Sequence, residues 1–334
     1  MTYNISNRRY IGSKAKLSAW IMSLINKECY GKVFLDIFAG TGVIAAAAFQ
    51  SFEHVIVNDL LFSNYAIYQG FFGKGRWSRE KLGRVIKHYN NISSREFKDN
   101  YFSKHFGGKY FSKYAARAIG FIREDIELRR QSLTSKEYYI LLSSLIYSAD
   151  KIANTVGHYD AYIQKTPGGN CFNMGVIEPM KMNKIDIYRE DSNLLAKTLK
   201  ADVVYIDPPY NSRQYSRFYH VLETLTKCDN PRLHGVALKP EPENMSDYCK
   251  VKASDKLADL VAKLNCKYIV VSYNNTYNSK STSSKNKIAL EQIKEILTRK
   301  GTTKEFKKSH KFFNSGKTDF ADHQEWIFIT KVYE

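Results

Sequence analysis

Val203-Val204-Tyr205-Ile206-Asp207-Pro208-Pro209-Tyr210 begins as one kind of structure and ends as another. The run of β-branched and aromatic residues reads as a buried strand. It stops at an acid, two prolines and a tyrosine. Proline has no N–H to give to a ladder, so Asp207 to Tyr210 form a stiff turn at the carboxyl end of the strand. In open α/β sheets that edge is where ligands bind. The turn offers one carboxylate, fixed backbone carbonyls and one aromatic face. Together these groups can hold a planar ring that bears an amino group.

Upstream, Val33-Phe34-Leu35-Asp36-Ile37-Phe38 reads as a first strand. It leads into Ala39-Gly40-Thr41-Gly42 and a helix of small residues from Val43 to Phe49. Strand, glycine turn and helix make the first half of a nucleotide-binding βαβ unit, in which Gly40 and Gly42 let the backbone approach a ligand. The third glycine of the dinucleotide fingerprint is missing. Val55-Ile56-Val57-Asn58-Asp59-Leu60 reads as a second strand ending in an acid. An acid there can accept both ribose hydroxyls of an adenosine, or simply cap a helix. The glycine turn and Asp59 together favour an adenosyl ligand.

Ile185 to Asp191 is a short alternating strand before a helix, Ser192 to Leu199. Asp191 can accept an adenine amino group or cap that helix. Past the acid turn, Asn211 to His220 is polar, cationic and aromatic. Arg213 and Arg217 are suited to phosphate or a target strand. Tyr268 to Tyr273 is another buried strand, ending at a polar tip, Asn274-Asn275-Thr276-Tyr277, on the same sheet edge. Lys280 to Lys287 reads as a loop, Ile288 to Leu297 as a helix and Trp326 to Val332 as a closing strand. Near the N-terminus, Arg9-Tyr10-Ile11-Gly12-Ser13-Lys14 precedes an amphipathic helix from Lys16 to Asn26. Its glycine, serine and lysine can present N–H groups and an ammonium to an anion, although the spacing is not that of a P-loop.

Between these parts the pattern changes. Residues 74–136 carry 16 Lys and Arg against 6 Asp and Glu, and residues 280–317 carry 11 against 3. These two segments supply the whole net charge of +18 and leave the remainder neutral. That asymmetry points to a polyanion held from two sides, by phosphate contacts that carry no base identity. Aromatic residues interleaved with the cations of 74–136 can stack on bases or form a core of their own. Two helices are expected there, Ala115 to Arg130 and Lys136 to Ile152. The polar, glycine-rich stretch Asn154 to Met174, including Thr166 and Asn170, reads as a hairpin or long loop. Asn154, His158, Tyr159 and Tyr162 are groups that read base edges or fill the gap left by an extruded base.

Hydrophobic residues make up 43% of the 334, enough for one large core or a core with an appended domain. No apolar run approaches the roughly 20 residues of a membrane span, and no signal core follows Arg8-Arg9, so a cytoplasmic location is expected. The five cysteines are scattered without a CxxC pair, which argues against both disulfides and zinc.

With its parts in this order the chain resembles the adenine-N6 DNA methyltransferases of the Dam-like α group, which includes restriction-modification and orphan enzymes. The shared order is a basic Gly-Lys motif (Tyr10 to Lys14), Phe-x-Gly-x-Gly (Phe38 to Gly42), the second-strand acid Asp59, an inserted target-recognition region and Asp-Pro-Pro-Tyr. Gly12-Ser13 stands where Dam has two glycines. The resemblance implies a doubly wound, mostly parallel, Rossmann-like α/β domain over residues 1–70 and 183–334. It also implies a mainly helical target-recognition domain over 71–182, with Asn154 to Tyr162 as its DNA-contacting hairpin. It implies S-adenosylmethionine as cofactor and no metal. Tyr10, Lys14, Asp36, Phe38, Ala39, Gly40, Thr41, Gly42, Asp59, Asp191 and Asp207 would line the cofactor site, with Lys14 and the glycine turn at the methionine end. Double-stranded DNA is the implied partner, contacted by Asn154, His158, Tyr159, Tyr162, Arg213, Arg217 and Asn274. A cognate restriction endonuclease would be a functional partner.

In that mechanism Asp207 and the carbonyl of Pro208 accept the two N6–H groups of an adenine flipped out of DNA. Pro209 stiffens the turn and Tyr210 stacks on the base. Positioning and electrostatics then carry the methyl transfer. Related enzymes that methylate cytosine N4, RNA adenine or a glutamine amide use the same turn, often with Ser or Asn at the acid. A DNA-binding protein with a degenerate methyltransferase core is the remaining alternative.

Overall fold

The computed structural model describes residues 1–93, 95–165, 167–169, 171–276, 285–309 and 323–334. Thr166, Asn170, Tyr277 and both ends of the second basic segment, 280–284 and 310–317, lie outside the described residues. The chain forms two compact units. One comprises Ser13–Leu60, Asn183–Tyr215 and Asn244–Glu334; the other comprises Met1–Gly12, Leu61–Met182 and Ser216–Glu243.

The first unit is built on seven strands: β1 (Val33–Asp36), β2 (His54–Asn58), β3 (Ile185–Tyr188), β4 (Val203–Ile206), β5 (Tyr268–Asn274), β6 (Gly301–Ser309) and β7 (Gln324–Val332). Their order across the sheet is β3-β2-β1-β4-β5-β7-β6. The first five are parallel, and β7 runs antiparallel to both neighbours. β1, β4 and β5 are fully or almost fully buried, as continuous Val, Ile and Tyr runs in a sheet covered on both faces must be. The strand order reverses between β1 and β4, where Asp36 pairs with Tyr205. This is the switch point at which open α/β sheets leave a crevice beyond their carboxyl ends. The acid turn follows β4 directly.

β6 was not expected from its sequence. Gly301–Ser309 carries Lys304, Lys307 and Lys308, and its side chains are mostly exposed. It lies at the edge of the sheet, where lysines discourage pairing with another chain. Its lysines mask the alternation that marks a half-buried strand.

The second unit is mainly helical, with Phe62–Phe71, Arg79–Asn91, Tyr101–Phe106, Lys113–Leu128, Ser135–Ile152 and His220–Lys227 as its helices. Its two long helices agree with the expected pair. Tyr89, Phe102, Phe106, Tyr110 and Phe111 are buried, so these aromatics among the lysines form the unit's core.

Three segments expected in the sheet domain, 1–12, 61–70 and 216–243, pack here instead, and buried polar contacts explain why. The carboxylate of Glu223 accepts the amides of Phe62 and Ser63 at 3.0 and 2.8 Å, satisfying the N-terminus of the helix Phe62–Phe71. Arg123 donates to the carbonyls of Leu225 and Thr226 at the end of His220–Lys227. Thr2–Tyr3 pairs in parallel with Val176–Ile177, and Arg9 donates to the carbonyls of Asp150 and Ala153. Segments 1–12 and 216–243 are thereby joined to the helices. Residues 154–165 contain no strand. Asn154 holds them as a loop by donating its side-chain amide to the carbonyls of Lys109, Ile163 and Lys165.

Candidate active site

The edge beyond β1, β2 and β4 collects the motif residues. After β1 the chain turns through Gly40 (φ 53°) and Gly42 (φ 78°). Both lie in the left-handed region that a Cβ disfavours, so glycine is needed for this turn. The helix Val43–Ala48 follows, with Gly42 as its N-cap. The carboxylate of Asp59, just past β2, accepts the Gly40 amide at 3.0 Å. Asn58 ties the same edge together: its side chain donates to the carbonyls of Ile37 and Glu190 and accepts the Glu190 amide. Three strand ends are thus fixed around the glycine turn.

Asp36 is the anomaly of this edge. It is 1% exposed, and beyond a weak backbone contact from Ala45 its carboxylate oxygens have no hydrogen-bond partner among the described residues. Burial first, and then the nearby carboxylates of Asp207 and Asp59, hold its carboxyl well above the usual range. A buried carboxylate so weakly paired at a ligand-binding edge fits a cationic group such as the ammonium of a methionine moiety. The left-handed glycine turn fits close approach of the same ligand's backbone-like end. The donor set of this edge therefore suits S-adenosylmethionine.

At the end of β4 the Asp-Pro-Pro-Tyr turn meets two residues from distant parts of the chain. The Lys14 ammonium lies 3.0 Å from Asp207 Oδ1 and 3.3 Å from Glu325 Oε1. It also donates to the Tyr210 hydroxyl at 2.5 Å, and that hydroxyl donates to Asp207. Ser272 on β5 donates to Glu325 at 2.8 Å. Lys14 and Glu325 are buried, while the Asp207 side chain is 16% exposed. Burial raises the Asp207 carboxyl to about 6; Lys14 and Tyr210 oppose the rise and Glu325 adds to it. Burial alone would lower the Lys14 pKa, but the two carboxylates more than reverse that. Tyr210 is anchored from behind. Its carbonyl accepts the Lys287 amide at 2.7 Å, and its ring meets that of Tyr273 edge-on at 4.7 Å.

The remaining candidate residues divide clearly. Asp191 caps the short helix Ser192–Leu195, accepting the amides of Asn193 and Leu194. Phe38 packs edge-on against Tyr248 at 5.0 Å, while Ala39 and Thr41 are buried in the turn. Arg213 lies partly exposed just past the acid turn. Tyr10 belongs to the helical unit, where its ring stacks on Tyr219 at 4.6 Å. Arg217 donates to the Pro240 carbonyl, and Tyr162 packs edge-on against Tyr110.

Three residues expected on DNA have little surface to offer. Tyr159 is fully buried and donates its hydroxyl to Asp150 at 3.0 Å. His158 stacks on Phe218, with ring centroids 4.7 Å apart. Asn274 is buried in a network with Thr276 and Asn286. Glu325 was not singled out from the sequence. Its one signal is an acid at the head of the apolar run Trp326 to Val332, where alternation alone does not say that it points inward.

A glycine turn after the first strand, an acid after the second and Asp-Pro-Pro-Tyr after the fourth stand together on one edge of a mostly parallel sheet, in the motif order from which the resemblance was drawn. The chain belongs to the D12 class of N6 adenine-specific DNA methyltransferases, whose family pattern matches residues 10–293. It is 35% identical over 297 residues to modification methylase StsI of Streptococcus sanguinis, covering 80% of this chain and 44% of that protein. It is 28% identical over 334 residues to type II methyltransferase M.NlaIII of Neisseria lactamica, covering 94% and 95% of the two chains. To type II methyltransferase M.CviAII of Paramecium bursaria Chlorella virus 1 it is 29% identical over 338 residues, covering 97% and 98%. The chain thus spans less than half the length of the StsI methylase and nearly all of the other two. No helix among the described residues is long and apolar enough to cross a membrane.

Proposed function

We propose that this chain transfers a methyl group from S-adenosylmethionine to N6 of an adenine extruded from double-stranded DNA. It would act as the modification enzyme of a restriction-modification system, with a matching endonuclease as its functional partner. The observation that carries the reading is the acid turn itself. Asp207 stands at the strand-order switch with a side chain that keeps some exposure, and burial raises its carboxyl to about 6, below neutral pH.

Bound S-adenosylmethionine supplies an activated methyl on a sulfonium. The protein's task is positional. Asp36 would hold the ammonium of the methionine moiety, Asp59 the ribose, and the Gly40–Gly42 turn would admit both at close range. Asp207 and the Pro208 carbonyl would each accept one N6–H. That restrains an amino group whose lone pair is otherwise delocalised into the ring, and aims it in line with the methyl. Tyr210, anchored by Tyr273 and Lys287, would offer its ring to the extruded base. Asp207 is also the nearest base for the proton that N6 must lose.

The basic surface of the helical unit would grip phosphates. Arg213, Arg217 and Tyr162, partly exposed, remain the better candidates for DNA contact among those named from the sequence.

Incubating the protein with unmethylated DNA and methyl-deuterated S-adenosylmethionine, then analysing nucleosides by mass spectrometry, tests this. Labelled N6-methyladenine is expected. Labelled N4-methylcytosine, or cofactor and DNA binding with no methylated nucleoside, would overturn it.

A further inference from the structure

The Lys14 ammonium does not serve Asp207 alone. A second buried carboxylate, Glu325, stands 3.3 Å from it and is 3% exposed. Glu325 comes from β7, the one antiparallel strand, and nothing in the Asp-Pro-Pro-Tyr chemistry requires an acid there. Keeping a carboxylate in such a place is costly unless its charge is used or paired. Its partners are the Ser272 hydroxyl, more distantly the Tyr210 hydroxyl, and an ammonium already engaged by Asp207.

We propose that Glu325 is a positioning residue for methyl transfer: it shares the Lys14 ammonium with Asp207, so that Asp207 stays a strong acceptor for the substrate's amino hydrogen. The proposal rests on the reading that Asp207 receives that amino group. An ammonium wholly committed to one buried carboxylate nearly neutralises it and weakens the hydrogen bond it can accept. Two carboxylates flanking one ammonium leave a net negative charge at the turn. The ammonium can then lean toward Glu325 when Asp207 takes up an N6–H. Tyr210 completes the geometry, since its hydroxyl touches Asp207 and lies 3.5 Å from Glu325. The groups that face Asp207 are therefore Lys14 from the N-terminal segment, Tyr210 from its own turn, Glu325 from β7, and Asp36 and Tyr205 from β1 and β4.

Glu325→Gln isolates the charge. The amide oxygen can still accept from Ser272 and Lys14, so shape and hydrogen bonds survive. The test is the single-turnover rate of methyl transfer from tritiated S-adenosylmethionine to unmethylated DNA, followed against pH. The wild-type protein must first label adenine; if it does not, the reading of the site fails and not the role of Glu325. In Glu325→Gln the rate on the neutral plateau should fall on the order of tenfold. Removing a negative charge beside Asp207 favours its ionised form, so the acidic limb should move down by about half a unit to one unit. Cofactor and DNA affinities should hold. Lys14→Met should move the limb the opposite way, and Glu325→Asp, with the charge kept but the reach shortened, should recover part of the rate. Wild-type rate and limb in Glu325→Gln would overturn the proposal, as would loss of cofactor binding in step with rate. Should that variant not fold, a limb that fails to rise in Lys14→Met overturns it.

Discussion

Lys14 stands 3.0 Å from Oδ1 of Asp207, so the lysine expected at the methionine end of the cofactor is also engaged with the acid of the catalytic turn. The Gly-Lys motif and Asp-Pro-Pro-Tyr, far apart in sequence, form one electrostatic unit. Its net effect on Asp207 is a compromise between burial, which disfavours the carboxylate, and Lys14, which supports it. The carboxyl settles at about 6.

A pH profile follows from that value. Asp207 must be ionised to accept an N6–H, so activity should fall as pH drops through the raised carboxyl. The acidic limb of kcat/KM, which reports the free enzyme, should lie near 6 and not near the ordinary aspartate value. Steady-state rates from pH 5 to 8 at subsaturating DNA measure it, with stability checked at each pH. A profile flat down to pH 5 would show that some other group carries the acceptor role.

Removing the acid should separate chemistry from binding. Asp207→Ala is expected to lower the methyl-transfer rate by about three orders of magnitude or more, while the gel-shift affinity for DNA stays within about threefold. The contrast arises because the carboxylate serves one amino group, whereas the grip on DNA is a sum of many phosphate contacts. A variant with full activity would refute the assignment of Asp207.

Most of the sheet was legible because burial on both faces forces its strands into unbroken apolar runs: Val33 to Phe38, Val55 to Asn58, Val203 to Ile206 and Tyr268 to Tyr273. Gly40, Gly42 and Asp59 were legible because turn geometry and ligand approach restrict residue type. What escaped depends on partners far away in sequence. Glu325 is defined by Lys14 and Ser272, and the placement of 216–243 by Glu223 and Arg123. β6 escaped because an edge strand is selected to look polar. The Asn154 to Tyr162 loop misled in the opposite sense, since residue types able to read bases are equally able to satisfy a core.

Tyr159 tests that last point. Its hydroxyl donates to the buried Asp150 carboxylate, which also accepts the Arg9 amide. Tyr159→Phe leaves Asp150 short of a donor and should cost about 1–3 kcal/mol of stability, read as a lower urea midpoint. DNA affinity should be unchanged at a temperature where the variant is folded. A selective loss of DNA binding without loss of stability would return Tyr159 to the DNA interface.

Asp36 carries the opposite expectation. Its carboxyl is buried, is met only weakly by the Ala45 backbone among the described residues and faces two other acids. At neutral pH an anion there opposes the ligand-free fold, because the folded protein holds that proton more tightly than the unfolded chain does. Asp36→Asn removes the charge while keeping the size, so the ligand-free protein should melt at the wild-type temperature or a few degrees above it. The same change deletes the group assigned to the cofactor's ammonium. Affinity for S-adenosylmethionine should therefore fall by about ten- to a hundredfold, the worth of one hydrogen bond to a charged group. Differential scanning calorimetry and titration calorimetry on one preparation read both effects. Such a site exchanges stability for binding. A variant that melts lower than wild type and binds cofactor unchanged would mean that Asp36 supports the sheet and not the ligand.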